Sequence, residues 1–303
     1  MAVGLPGALV ARLEALSGAR VVGVVRLRGG DVNRAVAVEL DDGRSLFVKW
    51  RRDAAPGEFA SEAAGLAWLR VDRGLPLPEV RGYGDPEDGE GAPGFLALEF
   101  VQPGRVTLSE RELGSGLARI HLAGAAAHCA PAPGASRDWW WIGRLRLPLP
   151  APGATPPSWS VAYAEHRLRP LLGIAENRSL TAGCRHAVEG VCERIGELAG
   201  PEEPPSRLHG DLWTGNIQVG HNGRPWLIDP AASGGHREVD LAMLELFGTP
   251  GPGFFDAYRD VAGLDRDYPK RRALWQIMPL LVHAALFGGG YGVAAERAAR
   301  AYL

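Results

Sequence analysis

The alternation of apolar and polar positions changes its period along the chain. Residues 6–16 read as a short amphipathic helix, and residues 21–27, 35–40 and 45–50 read as strands, the last two joined by the hairpin signal Asp41-Asp42-Gly43. Residues 58–70 place Phe59, Ala63, Leu66 and Leu69 at a helical period. Pro76 and Pro78 end that helix region; residues 82–94 form a glycine-rich acidic loop without core-forming residues, expected to be mobile; residues 95–101 read as a buried strand. Helical patterns dominate from there on, over 113–123, 159–172, 184–198, 274–287 with a kink expected near Pro279, and 294–303. A short strand is expected at 226–228. The exception is 131–157, where seven prolines exclude a regular helix and surround Trp139-Trp140-Trp141. Three consecutive tryptophans are costly to leave in water, so some should pack on the helical part or line a cleft.

Composition narrows the class. At 303 residues the chain exceeds the usual single-domain size, which predicts one large or two smaller cores, and 46% apolar with 22% charged residues is ordinary for a soluble globular protein. A net charge of −2 without blocks of like charge gives no electrostatic reason to expect nucleic acid or an anionic membrane as partner. Residues 1–20 lack the basic head and apolar stretch of a signal peptide or membrane span. Cys129, Cys184 and Cys192 are too few and too irregular for a disulfide framework or a four-ligand zinc site, so the cytoplasm is the expected compartment.

The chemistry concentrates in Leu208-His209-Gly210-Asp211-Leu212-Trp213-Thr214-Gly215-Asn216-Ile217, followed by Leu227-Ile228-Asp229-Pro230. Phosphoryl transfer needs a carboxylate to take the proton of an attacking hydroxyl, plus an amide oxygen and a second carboxylate to hold Mg²⁺ on a triphosphate. Asp211, Asn216 and Asp229 supply that set, at the D-x-x-x-x-N spacing of a kinase catalytic loop. His-Gly before the base, and Asp-Pro-Ala in place of Asp-Phe-Gly, point away from protein kinases and toward kinases of small molecules. Upstream, Gly29, Gly30 and Asn33 lie in a tight loop whose backbone could approach phosphates, and Lys49 occupies the strand position of the lysine that pairs with the α- and β-phosphates. Glu62 is the candidate ion-pair partner of Lys49, with Glu58 as competitor. His121 reads as a packed helix histidine, and Asp240 as either a helix cap or a buried brace for the catalytic loop. Trp213, beside the base, offers a flat apolar face for a sugar ring or an amine-bearing group.

The longer string His209 to Asn216, then Asp229-Pro230-Ala231, then Gly234-Gly235-His236-Arg237-Glu238-Val239-Asp240-Leu241-Ala242-Met243, resembles the fructosamine kinases, also called ketosamine kinases. The resemblance covers nearly the whole chain and is weakest at 82–94 and 131–157. It implies an α+β, two-lobed protein-kinase-like fold, with an ATP-binding lobe over 1–101 and a catalytic and acceptor-binding lobe over 102–303. It also implies ATP and Mg²⁺ as cofactors and transfer of the γ-phosphoryl to the 3-hydroxyl of a ketosamine, in the repair of glycated amines. Glu99, Phe100 and Val101 fall where a kinase reads adenine, through the Glu99 C=O and the Val101 N–H. His236, Arg237 and Glu238 would either touch the sugar or hold their loop. Ile142-Gly143-Arg144 lacks the asparagine that relatives carry downstream, and Asp31 stands near the place of a cysteine found in several of them, so no disulfide control through that loop is expected. A monomer or weak homodimer is expected. The rivals are an aminoglycoside- or choline-type kinase on the same fold, disfavoured by Gly234 to Glu238, and a nucleotide-binding pseudokinase, disfavoured by the complete set Lys49, Asp211, Asn216 and Asp229. A zinc hydrolase built on His209 and Asp211 lacks a third ligand.

Overall fold

Antiparallel pairing of short β-branched and aromatic runs organises the first part of the chain. The computed structural model describes residues 4–27, 34–87, 91–104, 108–151, 153–154, 156, 158–174, 180–248 and 250–303. Helix α1 (Gly7–Ser17) is followed by strands β1 (Val21–Arg26), β2 (Arg34–Leu40) and β3 (Ser45–Arg51), helix α2 (Glu58–Leu69), and strands β4 (Val80–Gly84) and β5 (Gly94–Glu99). The five strands form one antiparallel sheet in the order β1-β2-β3-β5-β4. Side chains alternate across it. Val36, Val38, Leu46, Val48, Trp50 and Phe95 pack on Leu9 and Leu13 of α1, while Leu96 and Leu98 join Phe59, Ala63 and Leu66 of α2. Lys49 lies opposite Leu96 and Ala35 in the register, which puts it on the α2 side of the sheet.

The loop expected over 82–94 is partly a strand, because β4 pairs with β5 along Val80 to Gly84, and Ala92 is buried. Its sequence, Val80-Arg81-Gly82-Tyr83-Gly84, has no apolar alternation to announce it. The pairing depends on the open edge of β5 and on Gly82, where a Cβ would sit 2.6 Å from Leu16 of α1.

The rest of the chain is mostly helical. Helix α3 (Glu110–Leu122), capped by Ser109, precedes a hairpin of β6 (Trp139–Ile142) and β7 (Leu145–Pro148). The proline-rich segment therefore holds regular structure that the sequence reading did not place, and Trp140 and Trp141 are buried in it. The helix expected over 159–172 is α4 (Trp159–Tyr163), a π turn (Ala164–Leu168) and α5 (Arg169–Gly173) in succession. Then come α6 (Ala182–Leu198), β8 (Ser206–Leu208), a 3-10 turn (Thr214–Asn216), β9 (Ile217–Val219), β10 (Pro225–Leu227) and β11 (Ser233–Gly235). Helices α7 (Glu238–Leu246), α8 (Pro252–Ala262), α9 (Tyr268–Phe287) and α10 (Tyr291–Arg300) close the chain. Pro279 cannot donate to the Trp275 carbonyl one turn earlier in α9. The buried Tyr163 hydroxyl donates to that carbonyl at 3.2 Å instead. Cys129, Cys184 and Cys192 are buried free thiols. Among the described residues no helix is long and apolar enough to cross a membrane.

The start of α7 is fastened to α9 by a buried charge pair. Glu238 accepts from Arg271 Nη2 at 2.6 Å and Nε at 2.9 Å, and from Trp275 Nε1 at 2.8 Å. Removing one partner leaves the other charge buried and uncompensated. Arg271→Ala is therefore expected to lower unfolding free energy by about 3–5 kcal/mol, measured by denaturant unfolding, whereas substitution of the exposed Arg111, which reaches Asp260 at 3.7 Å, should change it by less than about 1 kcal/mol.

Candidate active site

A cleft of about 850 Å³ separates the five-stranded sheet from the helical part, and β9 with the loops before β9 and after β10 supplies its floor. The segment following β8 must turn sharply to bring Asp211 to the surface of this cleft. Gly210 makes the turn with φ +81°, and a Cβ there would sit 2.0 Å from the Ala231 carbonyl oxygen. The turn is held by Asp240, whose Oδ2 accepts from the His209 N–H at 2.6 Å and whose Oδ1 accepts from the Gly210 N–H at 2.9 Å. His121 Nε2 lies 3.2 Å from the same carboxylate, and its Nδ1 is 2.7 Å from the Tyr258 hydroxyl. Asp240 is thus a brace for the loop, and His121 a packed helix histidine behind it.

His209 ties this loop to the next. Its Nδ1 accepts from the Asp211 N–H at 3.3 Å, so the proton is on Nε2, which donates to the Ile228 carbonyl at 3.0 Å. Burial pushes the imidazole pKa down and keeps it neutral, against the pull of Asp240. Ile228 N–H in turn donates to the Asn216 carbonyl at 3.0 Å. Asp229 follows with φ +54°, a left-handed conformation unusual for a residue with a side chain. Such strain concentrates where a side chain must be aimed.

Lys49 and Glu62 join Asp229 in an ion-pair chain. Lys49 Nζ lies 2.5 Å from Glu62 Oε2 and 3.2 Å from Asp229 Oδ1. Burial pulls the ammonium pKa down, but Asp229 and Glu62 more than offset it and hold Lys49 cationic. Glu58, the competing partner, is engaged by Arg51 Nη2 at 2.6 Å instead. Across the floor, Asn216 Nδ2 donates to Asp211 Oδ2 at 3.0 Å and to the Asp211 carbonyl at 2.8 Å. Burial raises the Asp211 carboxyl to about 7, Asp229 and Asp240 adding to the rise and Asn216 opposing it. A carboxylate with that proton affinity can accept a proton from a hydroxyl near neutral pH. Because the Asn216 amide nitrogen is committed to Asp211, its amide oxygen is left for a cation. An amide oxygen and the Asp229 carboxylate are donors of the kind Mg²⁺ uses when waters and substrate phosphates complete its shell. Among the described residues no group of three or more His, Cys, Asp or Glu could hold a metal by itself.

Glu99, Phe100 and Val101 line the cleft at the end of β5. The Val101 carbonyl accepts from Gln218 Nε2 at 2.7 Å, a link between the segment after β5 and β9 that the sequence did not suggest. Gly29, Gly30 and Asn33 lie outside the described residues; Leu27 and Ala35 on either side line the cleft. Trp213 is partly exposed on the cleft wall, and Trp139, Trp140 and Trp141 line it as well.

Of the two roles open to His236, Arg237 and Glu238, touching the sugar or holding their loop, the geometry favours the second. None of them lines the cleft. His236 is buried with its ring stacked 5.7 Å from Trp275, Arg237 pairs with Glu203 at 2.6 Å and caps carbonyls at the end of α8, and Glu238 takes Arg271. The charges of Arg237 and Glu238 are satisfied internally, which suits them to holding the loop. Missed instead were Phe247, His283 and Tyr291, which form with Trp213 the wall beyond Asp211. The signal available was weak, since aromatic residues on separate helices share no spacing.

Asp240→Ala removes the acceptor of two buried main-chain donors. It is expected to destabilise the fold by at least about 2 kcal/mol, because a buried donor left unpaired costs about 1–3 kcal/mol, and to lower turnover because Asp211 loses its fixed position. Denaturant unfolding and steady-state kinetics check both; an unchanged midpoint would remove Asp240 from this role.

Comparison with known proteins follows the same lines. A family model described as fructosamine kinase matches residues 11–303. A Synechocystis protein named a probable ketoamine kinase is 31% identical over 271 residues, covering 89% of this chain and 86% of the relative. An Arabidopsis thaliana chloroplastic protein-ribulosamine 3-kinase is 30% identical over 265 residues, covering 87% and 77%. A Thermobifida fusca protein solved under the provisional designation fructosamine-3-kinase superposes with a TM-score of 0.84 at 38% identity, over 98% of this chain and 99% of that one. The choline kinase of Streptococcus pneumoniae, at 17% identity and a TM-score of 0.64 over 97% and 96%, shares the two-lobed kinase-like fold.

Proposed function

Since the chain belongs to the fructosamine kinase family and is an ATP-dependent phosphotransferase, we propose that it phosphorylates ketosamines at the sugar 3-hydroxyl, as a step in removing glycation adducts from amines. The observation that carries this reading is the meeting, in one cleft, of the Lys49–Glu62–Asp229 ion-pair chain with the Asp211–Asn216 pair. Asp211 orients the acceptor hydroxyl and takes its proton as the oxygen attacks the γ-phosphorus and ADP departs. Asn216 and Asp229 hold Mg²⁺, which when bound neutralises charge on the phosphates. Lys49, fixed by Glu62, pairs with the α- and β-phosphates. The adenine edge is read by the Glu99 C=O and Val101 N–H. Positioning and electrostatics supply most of the acceleration, with no covalent intermediate on the protein. Residues 1–101 act as the nucleotide lobe and 102–303 as the catalytic and acceptor lobe.

Asp211→Asn is expected to lower turnover by about 10²–10⁴-fold with MgATP binding retained; near-wild-type turnover would remove Asp211 as the base. The base works ionised and its pKa is raised to about 7. The value of kcat/KM for MgATP, which reports the free enzyme, should therefore fall as pH drops through that region and level off above it. A profile flat from pH 5 to 9 would contradict this assignment.

A further inference from the structure

Transfer of a phosphoryl group does not require a choice between purines, and much of the cleft wall offers none. Leu27, Ala35, Phe47, Leu98 and Ile228 line it with apolar side chains, which meet the face of any base alike. Discrimination falls to the polar edge of the base. Adenine presents an amine donor beside a ring-nitrogen acceptor, whereas guanine presents a carbonyl acceptor beside a ring N–H and an exocyclic amine, both donors.

Along residues 99–101 the backbone offers, in order, the Glu99 C=O, the Val101 N–H and the Val101 C=O. The first two match adenine. Guanine set in the same register puts its carbonyl against the Glu99 C=O and its ring N–H against the Val101 N–H, with its amine at the Val101 C=O. Slid one place along, so that its carbonyl takes the Val101 N–H, it brings its ring N–H to the Val101 C=O. In either register the acceptor that a guanine donor reaches is the Val101 C=O.

That carbonyl is already committed. Gln218 Nε2 donates to it at 2.7 Å from β9. A carbonyl only accepts, so it is the amide nitrogen of Gln218 that faces it. Gln218 and Val101 both line the cleft, which puts the bond at its wall. The carbonyl can accept a second hydrogen bond, but a guanine N–H coming to it would meet the Gln218 amide, donor against donor. The segment is strapped to β9 beyond this point, since the Gly104 N–H donates to the Val219 carbonyl at 2.8 Å and Pro103 bridges to Gly220. The Glu99 carboxylate turns to the start of β4, where its Oε2 accepts from the Glu79 N–H at 3.1 Å.

We infer that Gln218 makes the site selective for adenine over guanine nucleotides, by occupying the main-chain acceptor that guanine needs and presenting a donor in its place. It is a specificity-determining residue with no part in the phosphoryl transfer. The inference rests on the reading of Glu99 and Val101 as the groups that meet the base, and adds to it the means by which guanine is refused.

The test is calorimetric binding, with Mg²⁺, of the β,γ-imido triphosphates of adenosine, purine riboside, guanosine and inosine to the wild type, Gln218→Leu and Gln218→Glu. In the wild type the guanosine analogue is expected to bind at least about tenfold more weakly than the adenosine analogue, because its donors are left unpaired. Inosine, which lacks the exocyclic amine, should fall between them. Gln218→Leu removes the donor and frees the carbonyl, and should raise the guanosine-to-adenosine affinity ratio at least about fivefold. Gln218→Glu puts an acceptor there and should raise it further. The ratio compares two ligands on one protein, so a general loss of stability does not move it. A ratio unchanged in both variants, or guanosine bound as tightly as adenosine by the wild type, overturns the inference. Equal binding of the adenosine and purine riboside analogues, which differ only in the adenine amine, would remove the edge reading itself and the inference with it. A clear preference for adenosine over purine riboside with an unchanged guanosine ratio would leave that reading standing and remove Gln218 alone.

Discussion

The geometry of the catalytic loop depends on one buried carboxylate. Asp240 is fully buried at the start of α7 and receives two consecutive main-chain N–H groups, those of His209 and Gly210. A charge removed from water is tolerated only when hydrogen bonds replace its hydration. Here those bonds come from the backbone that precedes Asp211, so stabilising the charge and shaping the loop are one event. The support extends outward through His121 on α3 to Tyr258 on α8. Those two helices pack closely enough that a Cβ on Gly114 would meet the Phe254 carbonyl oxygen at 2.2 Å. The position of Asp211 is therefore set by helix packing, and His209 transmits it to the strand that delivers Asp229.

A second constraint runs across the cleft. Lys49 comes from the sheet, Glu62 from α2 and Asp229 from the far side, and the ammonium is close to both acids. This places one positive charge among groups that repel one another. Glu62 is pushed up to about 7 by burial, which Lys49 only partly offsets and the Asp229 charge reinforces. Asp211 is raised for the same first reason. The cleft is thus poorly compensated as it stands, and a bound divalent cation with its phosphates would change the balance for every acid near it. Strain in the Asp229 backbone belongs to the same economy, since φ +54° costs free energy that the ladder of bonds from His209 to Ile228 to Asn216 must hold in place.

Much of this was legible in the sequence because it is local. Strand alternation set Lys49 on the cleft side, helical spacing put Glu62 within reach of it, and the run from His209 to Asn216 carries its chemistry in a fixed spacing. The features that escaped are those where distant segments decide the outcome. Strand β4 exists because an open edge was available, not because Val80 to Gly84 favours a strand. The tryptophan hairpin is held where Trp140 Nε1 donates to the Ala231 carbonyl and the Arg167 guanidinium stacks 4.1 Å over its ring. Nothing near the tryptophans in sequence announces either partner. His236, Arg237 and Glu238 look functional because charged residues cluster in a short string, yet each finds its partner inside the protein, on Trp275, Glu203 and Arg271.

That last case separates two kinds of charge in this molecule. Glu238 and Arg271 saturate each other, and such a closed pair fixes a loop but has nothing left to offer a ligand. Asp211 and Asp229 are acids in a cleft where the lone lysine is shared among neighbours, and their unspent acceptor capacity faces the space where a substrate would lie. Reading function from charge therefore requires knowing which charges are already answered. On that criterion the ring wall of Phe247, His283 and Tyr291 belongs with the acids, because it is electron-rich and carries an acceptor nitrogen.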